Sequence, residues 1–270
     1  MAVLMASVLD ANWDDIENEV RVVDEAGVDG FSLDIMDGKF VERVTLDMPM
    51  ICRIRNATDR PVEAHLMVEK PEEWMERICD AGCDQFLFHI EATKVPLDII
   101  RYVHARGLSC GIAVLIDTPI ASIPKEVMAE VDTVNLMAVR IGYGGQKAST
   151  ETADRIRELR RLFSDVNDHF AIEVDGGMKA ENCSEFVKAG ADLILIGTGI
   201  YHRDDRAQAV REAKAAMDND DPVSRERLRV LFEKNAEKEI DLSERRLRLE
   251  AVRLSQGIPE ETWSPMTSRR

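Results

Sequence analysis

Residues 170–200 read FAIEVDGGMKAENCSEFVKAGADLILIGTGI, and this stretch decides the fold. The runs at 170–175 and 193–196 are largely apolar, which is typical of strands buried on both faces of a parallel sheet. Between them, residues 180–189 have a helical pattern that stops at Gly190, where a left-handed C-cap is expected. The stretch therefore predicts a strand–helix–strand unit with parallel strands.

The same alternation extends through residues 2–217. Strands are predicted at residues 2–8, 30–35, 62–67, 85–89, 109–116, 133–139, 170–175 and 193–196. Helices are predicted at 13–26, 71–81, 97–106, 152–163 and 180–189, with Gly27, Gly82 and Gly107 as further C-caps. Eight such units in about 220 residues predict an α/β protein, a (β/α)8 TIM barrel. The alternative is a doubly wound open sheet, which usually has a G-x-G-x-x-G turn after its first strand. Here that strand leads into Ser7-Val8-Leu9-Asp10.

The composition changes after residue 217. Residues 218–222 read DNDDP, which should break a helix, and two charged helices are predicted at 223–240 and 242–256. We therefore assign residues 1–217 to the barrel and 218–270 to a C-terminal helical extension with a frayed tail at 257–270. The extension is expected to pack on the barrel or on a second subunit, and we expect a homo-oligomer.

Composition excludes several classes of partner. The chain has 51 acidic and 35 basic residues, giving a net charge of −16, so nucleic acids and anionic membranes should be repelled. Five dispersed cysteines argue against a disulfide scaffold. No leader-like or membrane-spanning run is present in the sequence, so we expect a cytoplasmic protein.

Three polar residues are expected to meet at one end of the barrel. Catalytic residues of such barrels lie at the carboxyl ends of the strands. Asp34, His65 and Asp175 occupy these positions on strands two, three and seven. A single aspartate at a strand end is more often a helix cap, but two carboxylates and an imidazole together suit a catalytic divalent metal ion.

Glycines follow the last three strands. Backbone N–H groups at glycines can approach a phosphate closely because no Cβ intervenes, and loops at these positions bind phosphate in many barrels. One glycine pair is weak evidence, whereas clusters after three consecutive strands favour a phosphate site. The predicted phosphate-binding residues are Gly142, Gly144, Gly145, Gly176, Gly177, Gly197 and Thr198.

These segments together resemble the ribulose-phosphate 3-epimerase family. The resemblance rests on Ser7-Val8-Leu9 and on residues 33–41 (LDIMDGKFV), 64–68 (AHLMV), 142–146 (GYGGQ) and 172–177 (IEVDGG). The segments occur in the family order with barrel spacing, and the resemblance covers residues 2–217.

The resemblance implies an isomerase that epimerises C3 of a phosphorylated ketose such as ribulose 5-phosphate. It implies that Asp34 and Asp175 act as acid and base on opposite faces of the sugar. With His65, they would hold a divalent ion (Zn, Fe, Mn or Mg) that stabilises an enediolate. Further substrate contacts are assigned to Ser7, Ser32, Met36, Met67, Met137 and Arg140.

The sequence departs from the family pattern around the pocket. Ser32 replaces a metal-binding histidine, and a serine hydroxyl is a poor ligand for zinc or iron. Asp10 and Asn12 stand where the family has Ser and Asp, and Arg43 and Arg140 replace Asn at two further positions. The two arginines could bind a second anionic group or could be solvated charges at the rim. These changes lie around the pocket while the barrel motifs persist, so they bear on the identity of the substrate and not on the fold.

Two other functions remain open. An aldolase or decarboxylase could use the same phosphate-binding barrel, but decarboxylases of that group have Asp-x-Lys-x-x-Asp on the third strand. The nearest string here, residues 37–42, follows strand two. A non-catalytic paralogue that binds a sugar phosphate is favoured by Ser32, whereas the retained aspartates and methionines argue against it.

Overall fold

The barrel is closed and its eight strands follow one another in chain order. The computed structural model describes residues 2–217 and 221–236. All neighbouring strands are parallel, and β1 pairs with β8. The strands are β1 (Val3–Ser7), β2 (Gly30–Met36), β3 (Val62–Met67), β4 (Gln85–His89), β5 (Ser109–Val114), β6 (Thr133–Met137), β7 (Ala171–Asp175) and β8 (Leu193–Ile196). The predicted (β/α)8 TIM barrel is therefore confirmed.

Helices surround the barrel between the strands. Gly27, Gly82, Gly107 and Gly190 all have φ between 76° and 114°, which confirms the predicted left-handed caps. The predicted helix at 71–81 is divided into a 3-10 turn at Pro71–Glu73 and a helix from Met75. The helices are α1 (Ile16–Glu25), α2 (Met48–Asn56), α3 (Met75–Asp80), α4 (Pro96–Ala105), α5 (Lys125–Met128), α6 (Thr152–Phe163), α7 (Cys183–Ala189), α8 (Thr198–Tyr201), α9 (Arg206–Ala216) and α10 (Pro222–Ala236).

Strand register aligns the polar strand ends that the sequence analysis singled out. Asp34 pairs with His65 across β2 and β3, and Met137 pairs with Asp175 across β6 and β7. Side chains alternate between the two faces of a strand. Asp34 and His65 consequently point into the same end of the barrel, where they meet Asp175 from the far side.

Helix α10 packs against the opposite, amino-terminal end of the barrel. Leu228 and Leu231 are buried in a cluster with strand residues that include Met5 and Leu193. Ser224 Oγ donates a 2.7 Å hydrogen bond to Asp192 Oδ1. This part of the extension therefore lies on the barrel. The predicted helix at 242–256 and the tail at 257–270 are outside the described residues, and the domain boundary at 217 stays a prediction.

We expect Leu231→Ala to lower the free energy of unfolding by about 2–4 kcal/mol, because it removes a buried side chain and leaves a cavity. Leu231 is 2% exposed, whereas Val223 on the same helix is 56% exposed. Val223→Ala is the matched control and should change stability by less than about 0.5 kcal/mol. Denaturant unfolding measures both, and equal losses would contradict this packing of α10.

The cysteines are consistent with the expected lack of a disulfide scaffold. Cys52, Cys79, Cys83, Cys110 and Cys183 are all free and buried. Burial raises the pKa of Cys52 to about 12, so this thiol stays protonated. Within residues 2–217 and 221–236, the structure contains no helix that is both long and apolar enough to cross a lipid bilayer.

Candidate active site

One cavity at the carboxyl ends of the strands collects most of the residues assigned from the sequence. Ser32 and His65 do not line this cavity, because both are completely buried. The assigned residues that do line it are Ser7, Asp34, Met36, Met67, Met137, Arg140, Gly142, Gly144, Gly145, Asp175, Gly176, Gly177, Gly197 and Thr198. Five strands, β1, β2, β3, β6 and β7, and the three loops after β6, β7 and β8 thus contribute to a single site.

Asp34, His65 and Asp175 form a possible metal centre, in which the two aspartates line the cavity and His65 is buried between them. One ligand atom from each residue lies within 4.8 Å of the others. His65 Nδ1 is 3.2 Å from Asp34 Oδ1 and 3.6 Å from Asp175 Oδ2. This nitrogen is buried but makes no hydrogen bond within the described residues. A buried nitrogen that makes no hydrogen bond and faces two carboxylates fits a divalent cation bound by all three side chains.

The charges at this centre shift the protonation of its members. Burial, followed by the charge of Asp34, raises the pKa of Asp175 to about 7. Burial disfavours the charged form of His65, but the adjacent carboxylate of Asp34, followed by the charges of Asp175 and Glu63, outweighs burial and raises the pKa of His65. Buried groups with perturbed pKa values at a cavity are typical of functional sites.

A short hydrogen bond fixes one of the two aspartates. Ser7 Oγ at the end of β1 donates to Asp34 Oδ2 over 2.7 Å. The backbone of β2 is held at the same place, because Thr45 Oγ1 donates to the carbonyl oxygen of Asp34. Ser7 therefore orients Asp34 and also lines the cavity beside it.

His89 supports His65 from behind. The Nε2 atoms of the two rings are 3.0 Å apart, so one must carry a proton that the other accepts. If Nδ1 of His65 binds a metal, its proton is on Nε2 and is donated to His89. Burial lowers the pKa of His89 to about 4, which keeps this ring neutral and able to accept. His89 Nδ1 in turn lies 3.7 Å from Glu91 Oε2.

A second polar layer lies below the centre. Ser32 Oγ donates to Glu63 Oε1 over 2.8 Å, and Gln85 Nε2 donates to Glu63 Oε2 over 2.7 Å. On the other side of the barrel, Asn135 donates to Glu173. Burial raises the pKa of Glu63 and Glu173, and the negative charge of Glu63 raises that of Glu173 further. The Ser32 hydroxyl therefore points to this polar layer and not into the cavity.

Sequence reasoning missed this layer, although a signal was present. Side chains two residues apart on a strand point to the same face. Glu63 precedes His65 by two positions and Glu173 precedes Asp175 by two, so both carboxyls could have been placed inside the barrel.

We expect Ser32→His to tighten binding of zinc or iron by about tenfold or more, because it adds an imidazole next to a three-ligand centre. The substitution also removes the hydrogen bond donated to Glu63, and Ser32→Ala is the control that removes this bond without adding a ligand. Calorimetric metal titration compares the variants. If Ser32→His binds metal no more tightly than the wild type, position 32 does not reach the metal centre.

The glycine loops form a cradle at one side of the cavity. Gly176 and Gly177 have φ of 107° and 72°, and a Cβ on Gly177 would lie 2.7 Å from the carbonyl oxygen of Gln146. The loop after β6 is held by its own side chain, since Gln146 Nε2 donates to the carbonyl oxygens of Arg140 and Tyr143. Glycine is therefore required where these two loops touch.

Arg140 and Asp10, two charged residues at the mouth of the cavity, differ in their surroundings. Arg140 is exposed at the rim and pairs with Asp117 over 3.1 Å. Asp10 lines the cavity beside the glycine loops, and no functional role was assigned to it from the sequence.

Comparisons with known proteins give consistent results. Residues 3–201 match the family described as the ribulose-phosphate 3 epimerase family. A ribulose-phosphate 3-epimerase from Aquifex aeolicus is 31% identical over 217 residues, which cover 80% of this chain and 97% of the relative. One from Bacillus subtilis is 32% identical over 211 residues, covering 78% and 97%.

Solved structures share the fold at low sequence identity. The 3-hexulose-6-phosphate synthase of Salmonella typhimurium is 17% identical with a TM-score of 0.61, covering 80% of this chain and 98% of that chain. An orotidine 5'-phosphate decarboxylase from Pyrococcus horikoshii is 15% identical with a TM-score of 0.58, covering 80% and 99%. At these identities the similarity shows the barrel fold alone.

Proposed function

The chain belongs to the ribulose-phosphate 3-epimerase family, and we propose that it epimerises C3 of a phosphorylated ketose, with ribulose 5-phosphate as the first candidate. The observation that carries this proposal is the pair of carboxylates, Asp34 and Asp175, that flank the buried His65 at one cavity. Inversion at C3 needs one group to remove a proton and another to return it from the opposite face. Carboxylates on β2 and β7 approach the cavity from different sides of the barrel.

The two aspartates would share the proton transfers. A carboxyl group with a pKa near the working pH can both accept and donate a proton. Without a metal ion, burial and the charge of Asp34 raise the pKa of Asp175 to about 7, and a bound divalent ion would act in the opposite direction by favouring the ionised carboxylate. Asp34 accepts a hydrogen bond from Ser7, which holds the carboxylate in one orientation while it removes or returns the proton on its own face.

A divalent ion fits Asp34, His65 and Asp175, and when bound it would act as a Lewis acid that stabilises negative charge on the substrate oxygens. The donor set of two carboxylates and one imidazole is compatible with Zn, Fe, Mn or Mg. His89 would fix the orientation of the His65 ring by accepting its Nε2 proton.

Methionines form an apolar wall beside the proposed proton-transfer groups. Met36, Met67 and Met137 line the cavity and are each no more than 3% exposed. We assign them to packing against the reacting carbons, where they would exclude water that could protonate the intermediate. Arg140 at the rim and the glycine cradle are assigned to the phosphorylated end of the substrate.

The aldolase or decarboxylase alternative receives no support from the lysine that it would need. Lys39 belongs to the nearest matching string, but its side chain is 70% exposed and lies 4.0 Å from Glu69. No lysine lines the cavity among the described residues. The paralogue alternative predicts a degraded centre, whereas Asp34, His65 and Asp175 remain assembled.

We also propose that the protein works in the reducing cytoplasm, which its buried free thiols support.

The proposal is tested by following C3 epimerisation of ribulose 5-phosphate, and of tetrulose and hexulose phosphates, by nuclear magnetic resonance. Protein loaded separately with Zn, Fe, Mn or Mg should interconvert the C3 epimers of at least one substrate, and chelation should reduce the rate. Sugar-phosphate binding without turnover under all four metals would favour the non-catalytic paralogue.

A further inference from the structure

A carboxylate lies inside the glycine cradle. Asp10 is the last residue of the 3-10 turn Val8–Asp10 that follows β1. A Cβ built on Gly144 would lie 2.7 Å from Asp10 Oδ1 and closer still to Oδ2. A Cβ built on Gly197 would lie 3.0 Å from the same Oδ2. The carboxylate therefore lies between the loops after β6 and β8, in contact with both.

No side chain neutralises this carboxylate directly. Within residues 2–217 and 221–236, the Asp10 carboxylate accepts no hydrogen bond and makes no ion pair. Burial raises the pKa of Asp10 and the charge of Asp34 acts in the same direction, whereas His202 and Arg43 oppose it. Arg140, the other arginine at the rim, is paired with Asp117. Both carboxylate oxygens are thus free to accept hydrogen bonds from a ligand in the cavity.

The position of Asp10 changes what the cradle can bind. Backbone N–H groups of glycine loops attract an anion. A dianionic phosphate in this cradle would meet the carboxylate at close range, and like charges a few ångströms apart in a half-buried site repel each other strongly. A terminal hydroxyl of a sugar would instead donate a hydrogen bond to Asp10, which an ionised carboxylate can only accept.

We propose that Asp10 is a specificity-determining residue that weakens binding of dianionic phosphate in the cradle, so that the site also accepts a ketose whose far end carries a hydroxyl group. This inference rests on the proposed epimerisation at the metal end of the same cavity, and it widens the substrate class from ketose phosphates to free ketoses. The family that the sequence resembles has serine at position 10. A serine there would remove the negative charge of Asp10 and provide a hydroxyl group that donates a hydrogen bond to the phosphate.

Calorimetric titration of the full-length protein with inorganic phosphate tests the electrostatic step directly. Asp10→Ser and Asp10→Asn should each bind phosphate about tenfold or more tightly than the wild type, because each removes one negative charge from the cradle. Asp14→Asn makes the same change of charge on an exposed residue four positions away and should leave the affinity within about twofold. Thermal melting confirms that each variant is folded, and Asp10→Asn keeps the shape of the native side chain.

The substrate step is tested by comparing ribulose 5-phosphate with ribulose. Asp10→Ser should raise the ratio of kcat/KM for ribulose 5-phosphate to kcat/KM for ribulose by about tenfold or more, mainly by lowering KM for the phosphate ester. The inference is overturned if both Asp10 variants bind phosphate as weakly as the wild type, or if the ratio is unchanged. If neither ketose is turned over by any variant, the proposed function has failed, and the phosphate titration still decides the role of Asp10.

Discussion

Asp175→Asn is expected to reduce C3 epimerisation by about a thousandfold or more, because general acid–base catalysis by a positioned group contributes about 10² to 10⁴ in rate and a metal ligand is changed at the same time. The amide has the shape of the carboxylate but cannot accept and return the proton. Asp175 is at the carboxyl end of β7, and its side chain is only 15% exposed. Steady-state turnover of the best ketose phosphate provides the measurement.

Two controls separate the cause of this loss. Asp168→Asn makes the same substitution on a side chain that is 76% exposed and should retain wild-type turnover. Metal content of the Asp175 variant, measured by mass spectrometry, shows how much of the loss comes from lost metal and how much from lost proton transfer. Wild-type turnover by a folded Asp175→Asn protein would rule out a two-aspartate mechanism in this chain.

His65→Ala is expected to weaken binding of divalent metal by about a hundredfold or more, because removing a ligand should exceed the tenfold to hundredfold effect of changing a residue that only supports one. His65 Nδ1 is the buried nitrogen that faces both carboxylates, and the truncated side chain would also leave Asp34 and Asp175 without an intervening group. Calorimetric titration with zinc and manganese measures the loss.

The matched control is another histidine that pairs with an aspartate. His104 Nε2 lies 2.8 Å from Asp132 Oδ2, and His104 does not belong to the Asp34–His65–Asp175 cluster. His104→Ala should leave metal affinity unchanged. His89→Ala should have an intermediate effect, since His89 contacts His65 but not the metal position. An unaltered affinity in His65→Ala would mean that the three-residue cluster does not bind the metal.

Most of the barrel could be predicted from local pattern. Buried parallel strands are rich in apolar residues, and the strands predicted at 62–67, 85–89 and 193–196 have the same bounds in the structure. Glycine caps marked the ends of the helices for the same local reason, the need for positive φ. Helices α2, α5, α8 and α9 were not among the predicted helices. In α5 and α8, four residues are too few to give a helical period.

Only part of the candidate site could be predicted from the sequence. The strand-end rule brought Asp34, His65 and Asp175 to one place because it depends on topology and on the alternation of side chains. The hydroxyl of Ser32 turns to Glu63, and the carboxylate of Asp10 lies between Gly144 and Gly197. Such contacts depend on packing between residues that are distant in the chain. The position of α10 on the barrel similarly depends on Leu228 and Leu231 meeting strand side chains.

Our central claim is that two carboxylates transfer a proton at C3 of the substrate. Incorporation of deuterium from solvent into the substrate carbons tests this claim most directly. The metal-loaded protein is incubated with ribulose 5-phosphate in D₂O, and deuterium is located by nuclear magnetic resonance. Our account predicts deuterium at C3 of both epimers and at no other carbon, with the exchange lost in Asp175→Asn together with epimerisation. Deuterium at C1, or epimerisation without any incorporation from solvent in either direction, would contradict it.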